Sequence, residues 1–322
     1  MIGGKPRRKG TDGREGVSLE DFFAKFPSDE AAEEWYIRRR WPDGVRCPRC
    51  GGDNVYEPGG TSPMRFRCRD CRRCFSTKSG TVMAHSNLGY KKWLTALYLF
   101  HTNLKGVSAR KLRRDLGVSH PTAWHLAHRI RMGWVDESPQ FTGLVEVDET
   151  YVGGIERNKH IRNKLPQGQQ VWRGVGTKGK VIVAGARHRA TKQVKAKVVT
   201  GTDRVILRSF VREVAKLGTV LHTDHQGAYD RIPGYPRHAV NHTALEFVRG
   251  DVTTNGIESF WSMFKRGFMG TYHLMSAKHL QRYVDEFCGR HNVRMLDTMD
   301  QLERLAQALV GKRLRWADLT AA

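Results

Sequence analysis

The spacing of apolar side chains changes along the chain, and each change predicts a different kind of element. Residues 1–17 are polar, basic and rich in glycine, which predicts a disordered arm. Ser18 with Asp21 then resembles a helix cap, and Ser28 precedes a second stretch of helical spacing. Two short helices are therefore expected before the first cysteine.

Helical spacing also dominates residues 89–132. A long helix is expected after Gly89, followed by a helix over residues 108–116, a break at Gly117 and a helix over residues 120–132. Two helices joined by a Gly-Val-Ser turn predict a helix-turn-helix module at residues 83–138, with an ordinary helical hairpin as the alternative. The side chains predicted to face a DNA major groove are Thr122, Ala123, His125 and Arg129.

Strand-like runs begin after Pro139. Strands are predicted at residues 144–150, 181–186, 194–199, 220–223 and 237–240, and helices at 203–217, 227–230 and 255–292. This order predicts an α/β fold, an RNase-H-like mixed sheet spanning residues 142–294. The first and fourth strands are neighbours in that order, so Asp148 and Asp224 are expected to meet at the sheet centre. A basic loop is expected at residues 155–180, and a C-terminal helical tail at 295–322.

The net charge of the chain indicates which class of molecule it binds. The 322 residues include 55 lysines and arginines against 32 aspartates and glutamates, which gives a formal net charge of +23. Such a surplus favours a polyanionic partner, and nucleic acid is the default. The sequence has no apolar run of about 18 residues and no apolar signal segment at its start, so we expect no membrane contact and a cytoplasmic, nucleoid-associated protein.

Cysteine spacing predicts a metal site. The pairs CPRC and CRDC are separated by seventeen residues that suggest a hairpin ribbon, and a reducing cytoplasm disfavours disulfides. The pattern predicts a structural zinc ion within a module of residues 18–82. The metal would stabilise this module, because so short a segment cannot form a hydrophobic core of its own. Cys74 is interpreted as a spare thiol, with replacement of Cys71 as the alternative, and Cys288 as a core thiol. The predicted zinc ligands are Cys47, Cys50, Cys68 and Cys71.

Acidic side chains occupy positions suited to phosphoryl transfer. The stretch TTNGIESFWSMFK puts Glu258 and Lys265 on nearly one helix face. Asp148 lies in the run LVEVDETYVGG, and Asp224 ends the run VLHTD. Two aspartates on strands and a glutamate on a helix are what catalysis by two ions about 4 Å apart requires, and Mg²⁺ prefers such oxygen ligands. Asp148 would bridge both ions, and Asp224 and Glu258 would each hold one. Lys265 would hold a DNA phosphate.

Other interpretations of these acids stay open at this point. A glutamate and a lysine at this spacing are commonly a solvated helix face, and aspartate is common at the end of a strand. Glu146 alternates with Asp148 and competes for its role, whereas Glu149 is expected to point to the other face. A charge between valines is costly when buried without a partner or an ion, which favours a functional Asp148.

Several blocks, taken in order, resemble one protein family. CPRC with CRDC, then VEVDETYVGG, TDHQGAY, NGIESFWSMFKR and YVDEFCGRHNVR, are similar to bacterial insertion-sequence transposases with a zinc ribbon and an ISXO-type DDE catalytic domain. The resemblance implies an acidic triad of Asp148, Asp224 and Glu258, catalytic Mg²⁺ or Mn²⁺, and a trailing Lys265. Lys265 and its neighbour Arg266 are assigned to DNA contact. His225 departs from the glycine that more usually follows the second aspartate.

The resemblance also implies a function and partners. The expected activity is hydrolysis of a phosphodiester at the element ends and joining of the freed 3′-hydroxyl to target DNA, with terminal inverted repeats bound by the N-terminal modules. Because transposition joins two ends, a homodimer or higher homo-oligomer on double-stranded DNA is expected. The alternatives are a non-catalytic DNA-binding regulator, which would need none of the three acids, and a structure-selective nuclease, which would not need separate recognition modules.

Overall fold

Contacts divide the chain into two compact units. In the computed structural model, the described residues are 13–59, 64–135, 137–153, 179–241, 246 and 248–321. The first unit combines Met1–Val135 with Val293–Ala322, and the second is Asp136–Asn292. The second unit is thus inserted in the sequence of the first. Most of the basic loop predicted at residues 155–180 lies outside the described residues.

The elements follow the predicted order closely. The helices are α1 (Leu19–Lys25), α2 (Asp29–Arg40), α3 (Tyr90–Thr102), α4 (Ala109–Leu116), α5 (His120–Arg131), α6 (Arg204–Val214), α7 (Asn255–Gly267), α8 (Leu280–Val293), α9 (Thr298–Ala308) and α10 (Trp316–Thr320). The strands are β1 (Val55–Tyr56), β2 (Phe66–Cys68), β3 (Cys74–Phe75), β4 (Leu144–Val152), β5 (Val181–His188), β6 (Val194–Val199), β7 (Val220–Asp224), β8 (Arg237–Val240), β9 (Val248–Arg249) and β10 (Val252–Thr253). No helix among the described residues has the length and apolar character needed to cross a membrane.

One apolar core holds the first unit together. Helix α3 contributes Trp93 and Leu97, and α9 contributes Leu302 and Leu305 to the same buried cluster. After α9 the backbone pairs Val310 with Thr81 as an isolated bridge. Residues 295–322, predicted as a C-terminal helical tail, contain α9 and α10 and belong to the first unit, because one face of α9 is apolar and is buried against residues from the start of the chain.

Part of the predicted N-terminal arm is docked on the protein. The guanidinium of Arg14 donates to the Arg294 carbonyl at 3.1 Å, and the Thr298 amide donates to the Glu15 carbonyl at 3.1 Å. The Tyr98 hydroxyl donates to the Val17 carbonyl at 2.8 Å. Residues 13–17 are thus held by hydrogen bonds to distant residues that residue composition does not reveal, and residues 1–12 lie outside the described part.

Helices α4 and α5 lie where the sequence predicted them. Ser108 caps α4 by accepting from the Lys111 amide, and Gly117 ends it in the left-handed region at φ 60°. Ser119 caps α5 in the same way, with Pro121 in its first turn. The role of this helix pair in DNA binding stays a prediction.

The second unit is a mixed α/β domain around one five-stranded sheet. The strand order is β6-β5-β4-β7-β8, with β4, β5 and β6 antiparallel and β4, β7 and β8 parallel. One face packs on α6 through a cluster that includes Val145, Val147 and Phe210. The other face packs on α7 and α8 through a cluster that includes Val183 and Phe260. The architecture is consistent with an RNase-H-like domain, and the β9–β10 hairpin is an addition that the sequence did not predict.

Candidate active site and zinc site

Strand pairing brings the two predicted aspartates to one end of the sheet. β4 and β7 run parallel, with Val145 opposite Leu221 and Glu146 opposite His222. Two residues further along both strands, this register carries Asp148 and Asp224 to adjacent positions. Asp148 lies on the sheet face that packs against α7, because side chains alternate along β4 and Val147 faces α6.

The environment of Asp148 is electrostatically unfavourable for its charge. Burial raises the pKa of Asp148 to about 8, and the negative charges of Glu149, Asp224 and Glu258 add to the shift. The three predicted triad members are therefore close enough to interact. A divalent cation among them would relieve the repulsion, and carboxylate oxygens are the ligands that Mg²⁺ and Mn²⁺ accept. The donor set fits such an ion.

Helix α7 presents Glu258 to the same region. The Thr254 hydroxyl donates to Glu258 Oε1 at 2.6 Å and orients the carboxylate. Lys265 and Arg266 are exposed in the last turn of the helix. A cavity of about 490 Å³ opens between β4 and α7 and is lined by Asp148, Glu149, Thr150, Glu258, Trp261, Ser262, Lys265, Arg266 and Met269. Acidic and basic groups thus share one concave surface, as binding of a metal and a phosphate requires.

Glu146 anchors α7 and does not line this cavity. Its buried carboxylate accepts from the Ile257 amide at 2.9 Å, in the first turn of α7, and pairs with Arg187 at 3.3 Å. A Cβ on Gly256 would lie 2.4 Å from Glu146 Oε2, so glycine permits this close approach. The competing interpretation of Glu146 as a triad member therefore has no geometric support, because its charge is already compensated by a helix amino end and arginine.

A second glycine sets the distance between α7 and the sheet. Gly185 in β5 pairs with Asp148 in β4. A Cβ at Gly185 would lie 2.4 Å from the Trp261 ring, so the indole occupies the space above this glycine. This contact was not predicted from the sequence, although a glycine within an apolar strand indicates close approach by another group.

The carboxylate and backbone of Asp224 are both fixed. Its Oδ1 accepts from the Gln226 amide at 3.1 Å, and its carbonyl accepts from Arg237 Nη2 at 2.7 Å. Arg237 also donates through Nε to Thr223 Oγ1 at 2.8 Å. His225, the departure noted in the sequence, is exposed and leaves this turn intact.

Glu149 and Tyr229 form a buried pair behind the acidic site. The Tyr229 hydroxyl donates to Glu149 Oε2 at 2.9 Å. Burial raises the pKa of both groups, that of Tyr229 well above its ordinary value. Glu149 follows Asp148 directly, and Tyr229 lies in the turn after Asp224, so the bond ties together the two segments that carry the aspartates. This pair was not predicted, although the sequence correctly placed Glu149 on the opposite sheet face.

The predicted zinc ligands form a compact cluster in the first unit. The sulfurs of Cys47 and Cys71 are 3.6 Å apart and those of Cys50 and Cys68 are 3.7 Å apart. Tetrahedral Zn–S bonds of about 2.3 Å place sulfurs about 3.8 Å apart, so the thiols fit zinc. All four lie within 4.8 Å of one another, whereas Cys74 is exposed and outside the cluster. Burial acts to raise the pKa of Cys47, but hydrogen bonds from the backbone of Cys50 and Arg49 and from the neighbouring thiols together lower it to about 7.

The two candidate metal sites differ in spacing. Within the described residues, only these four cysteines bring three or more ligand atoms within 4.8 Å of one another. The oxygens of Asp148, Asp224 and Glu258 are therefore spread more widely than the thiols. Wider spacing is expected where carboxylates serve two ions about 4 Å apart.

The predicted DNA-reading face of α5 is turned toward the protein. Ala123 is fully buried in the core, so the prediction that it contacts a groove is wrong: packing against α4 takes that position. His125 Nε2 lies 3.2 Å from the Leu314 carbonyl, and Arg129 donates to Leu314 and to the Ala84 carbonyl. The Thr122 hydroxyl shares a hydrogen bond of 2.8 Å with Ser119.

Comparison with known proteins agrees with these features. Residues 140–292 match the ISXO2-like transposase domain, and residues 27–74 match the transposase zinc-ribbon domain. The chain is also 29% identical over 285 residues to an uncharacterized protein in transposable element ISH50 of Halobacterium salinarum, a match that covers 83% of this chain and 92% of that protein. These matches confirm the predicted family. The chain thus carries a transposase zinc-ribbon domain followed by an ISXO2-like transposase domain, the combination known from insertion-sequence transposases.

Proposed function

We propose that this protein is a DDE transposase that hydrolyses a phosphodiester at the ends of its element and joins the 3′-hydroxyl to target DNA. The observation that carries the proposal is the electrostatic interaction of Asp148 with Asp224 and Glu258 inside the matched transposase domain. A regulator that only binds DNA gains nothing from gathering three acids whose charges destabilise one another.

The roles of the acids follow from their positions. Asp148 interacts electrostatically with both Asp224 and Glu258, so its carboxylate would help to hold the metal ions together with each of them. Asp224 is held by the Gln226 amide and Glu258 by the Thr254 hydroxyl, so each presents a fixed carboxylate to one ion. Bound Mg²⁺ or Mn²⁺ would neutralise charge on the phosphate and promote ionisation of the attacking group.

Lys265 and Arg266 supply the substrate contact in this proposal. Both are exposed and both line the cavity that contains Asp148. Their positive charges would hold a backbone phosphate beside the acids. The first unit, with its structural zinc ion, would bind the terminal inverted repeats, and assembly into at least a dimer would bring two ends together.

The decisive experiment is a strand-transfer assay with a labelled duplex that carries the element end. Asp148→Asn, Asp224→Asn and Glu258→Gln should each lower joining by at least about a thousandfold, because each removes a metal ligand. Asp251→Asn removes an exposed carboxylate of the same unit and serves as the matched control.

The outcomes separate the candidate functions. Joining by wild type and by the Asp251 variant alone supports the transposase. Full joining by any one triad variant removes that residue from the site. Binding of the end without cleavage by wild type favours the regulator, and cleavage without joining favours the nuclease.

A further inference from the structure

The inner face of α5 is covered by the C-terminal segment of the same unit. The Leu314 carbonyl accepts from Arg129 Nε at 3.3 Å and lies 3.2 Å from His125 Nε2. Trp316 packs edge-on against Trp124 and His125, with ring centroids 5.5 Å apart in both pairs. These contacts leave His125 and Arg129 only partly exposed and occupy their polar atoms while the segment is in place.

The C-terminal segment that contains Leu314 and Trp316 is packed into the first unit. The side chain of Leu314 is 4% exposed and that of Leu319 is 0% exposed, so both sides of the segment are anchored by buried leucines. Burial also lowers the pKa of both His125 and Arg129. A neutral imidazole has no charge to offer a phosphate, and the Arg129 guanidinium is already bonded to two carbonyl oxygens.

A different surface of the helix pair is open and basic. Arg110, Arg113 and Arg114 lie on one face of α4 at helical spacing, and His120 begins α5 beside them. All four are exposed and line a concavity of about 530 Å³. No carboxylate of the described residues forms an ion pair with these arginines, since nearby Asp115 is paired with Lys111 at 2.7 Å.

We propose that Arg110, Arg113, Arg114 and His120 form the surface through which the first unit binds the backbone of duplex DNA. This inference rests on the proposed function, since it identifies where the element end is held. Three guanidinium groups without carboxylate partners can each form paired hydrogen bonds to a phosphate. The amino end of α5 has no acidic residue in its first turn and adds a partial positive charge at the same place.

The surface predicts a binding mode that differs from groove reading by α5. Contacts to phosphates position a protein on DNA without reading sequence, so these residues should contribute equally to any duplex. Sequence discrimination at the element end must then come from other groups. The inner face of α5 would contribute only if the C-terminal segment were displaced.

Fluorescence anisotropy with the full-length zinc-loaded protein tests this. Two duplexes are compared over a KCl series: one carries the element end and one has the same length and a scrambled sequence. The test variant is R110Q/R113Q/R114Q. The matched control K25Q/R38Q/R304Q removes the same charge from exposed positions elsewhere in the first unit. Thermal melting of each variant verifies that it is folded.

The expected result is a change in salt dependence. Each lost phosphate contact reduces the log–log slope by about 0.9, so the test variant should lose about 2.7 from its slope on both duplexes. The slope of the control variant K25Q/R38Q/R304Q should differ from the wild-type slope by less than the value of one phosphate contact, about 0.9. Arg129→Gln should lower the melting temperature, because it removes bonds to Leu314 and Ala84, and leave the slope unchanged.

Other results would overturn the inference. Equal slopes for the test and control variants would mean that only net charge matters. A loss of end binding in Arg129→Gln with a normal test variant would restore the inner face of α5 as the DNA contact. A wild type without affinity for either duplex would reject the surface and the proposed end binding together. Intact duplex binding with no strand transfer would support this DNA-binding surface and reject the transposase activity.

Discussion

The zinc ribbon and the acidic site are both candidate metal centres, but they are built in opposite ways. The four thiols come from two short segments and converge to within 4.8 Å of one another. The three carboxylates come from two strands and a helix, and their charges raise the pKa of Asp148 to about 8. A structural site gains stability from a closed ligand set, whereas a catalytic site must keep room for substrate. The comparison therefore supports a structural role for the four thiols and, under the proposed function, a catalytic role for the three carboxylates.

Removing zinc should have the largest effect. Cys68→Ser, or a zinc chelator, should unfold the ribbon, because the metal supplies on the order of 10 kcal/mol of the folding free energy of such small modules. Metal analysis and circular dichroism measure the loss. Cys74→Ser, at an exposed thiol outside the cluster, should retain zinc and melt as wild type does. Withholding Mg²⁺ should not unfold either unit. If the ribbon kept its fold without zinc, the two sites would not differ in their contribution to stability.

Loss of the Tyr229 hydroxyl should have an intermediate effect on the acidic site. Tyr229→Phe keeps the buried ring but removes the hydrogen bond to Glu149, which should lower strand transfer about tenfold at limiting Mg²⁺. The reason is that Asp148 and Asp224 lose the bond linking their segments. Higher Mg²⁺ should recover part of the rate, which a Mg²⁺ titration of joining measures.

The matched control for this change is Tyr235→Phe in the same unit. The Tyr235 hydroxyl donates to the Ala215 carbonyl at 2.9 Å, away from the acids. This variant should lose stability without changing the Mg²⁺ dependence. If both variants change the Mg²⁺ dependence equally, Tyr229 has no specific part in positioning the aspartates.

A further effect expected is a pH dependence of stability without Mg²⁺. The pKa of Asp148 rises from 3.8 to about 8 on folding, so between these values the folded protein binds a proton that the unfolded chain releases. The free energy of unfolding must then fall as pH rises through this range. Melting temperatures at pH 5, 6.5 and 8 for wild type and Asp148→Asn isolate the contribution, since asparagine does not titrate.

The melting temperature of Asp148→Asn should fall less steeply with pH than that of wild type. Mg²⁺ should stabilise wild type more at pH 8 than at pH 5. Parallel curves for the two proteins would show that Asp148 is not held in an unfavourable ionisation state. The zinc site offers the contrast, because its thiols should already be committed to metal across this range.

Sequence patterns predicted local features well. Ser18 caps its helix where its position suggested, and Ser28, Ser108 and Ser119 cap helices that were predicted to begin beside them, since a cap depends on residues within three positions. The cysteine pairs could also be predicted from the sequence, because the spacing of the ligands within each C-x2-C turn is local. The strand order followed from the alternation of apolar runs, which also brought Asp148 and Asp224 onto neighbouring strands.

Features that depend on distant partners escaped prediction. Nothing near Glu146 in the sequence indicates that it holds the first turn of α7, and nothing near Ala123 indicates how deeply α5 is packed. The docking of residues 13–17 and the covering of α5 by Leu314 and Trp316 both join the two ends of the chain. Such contacts are set by tertiary packing, for which periodicity carries no information.

The placement of α9 in the first core has a consequence for synthesis. The leucines that complete that core lie beyond residue 300, so they leave the ribosome after the whole of Asp136–Asn292. The second unit can fold while the first unit still lacks α9. A ribosome that stops early would therefore release a chain without a finished N-terminal core, and only a chain translated to its last helices would combine both units in folded form.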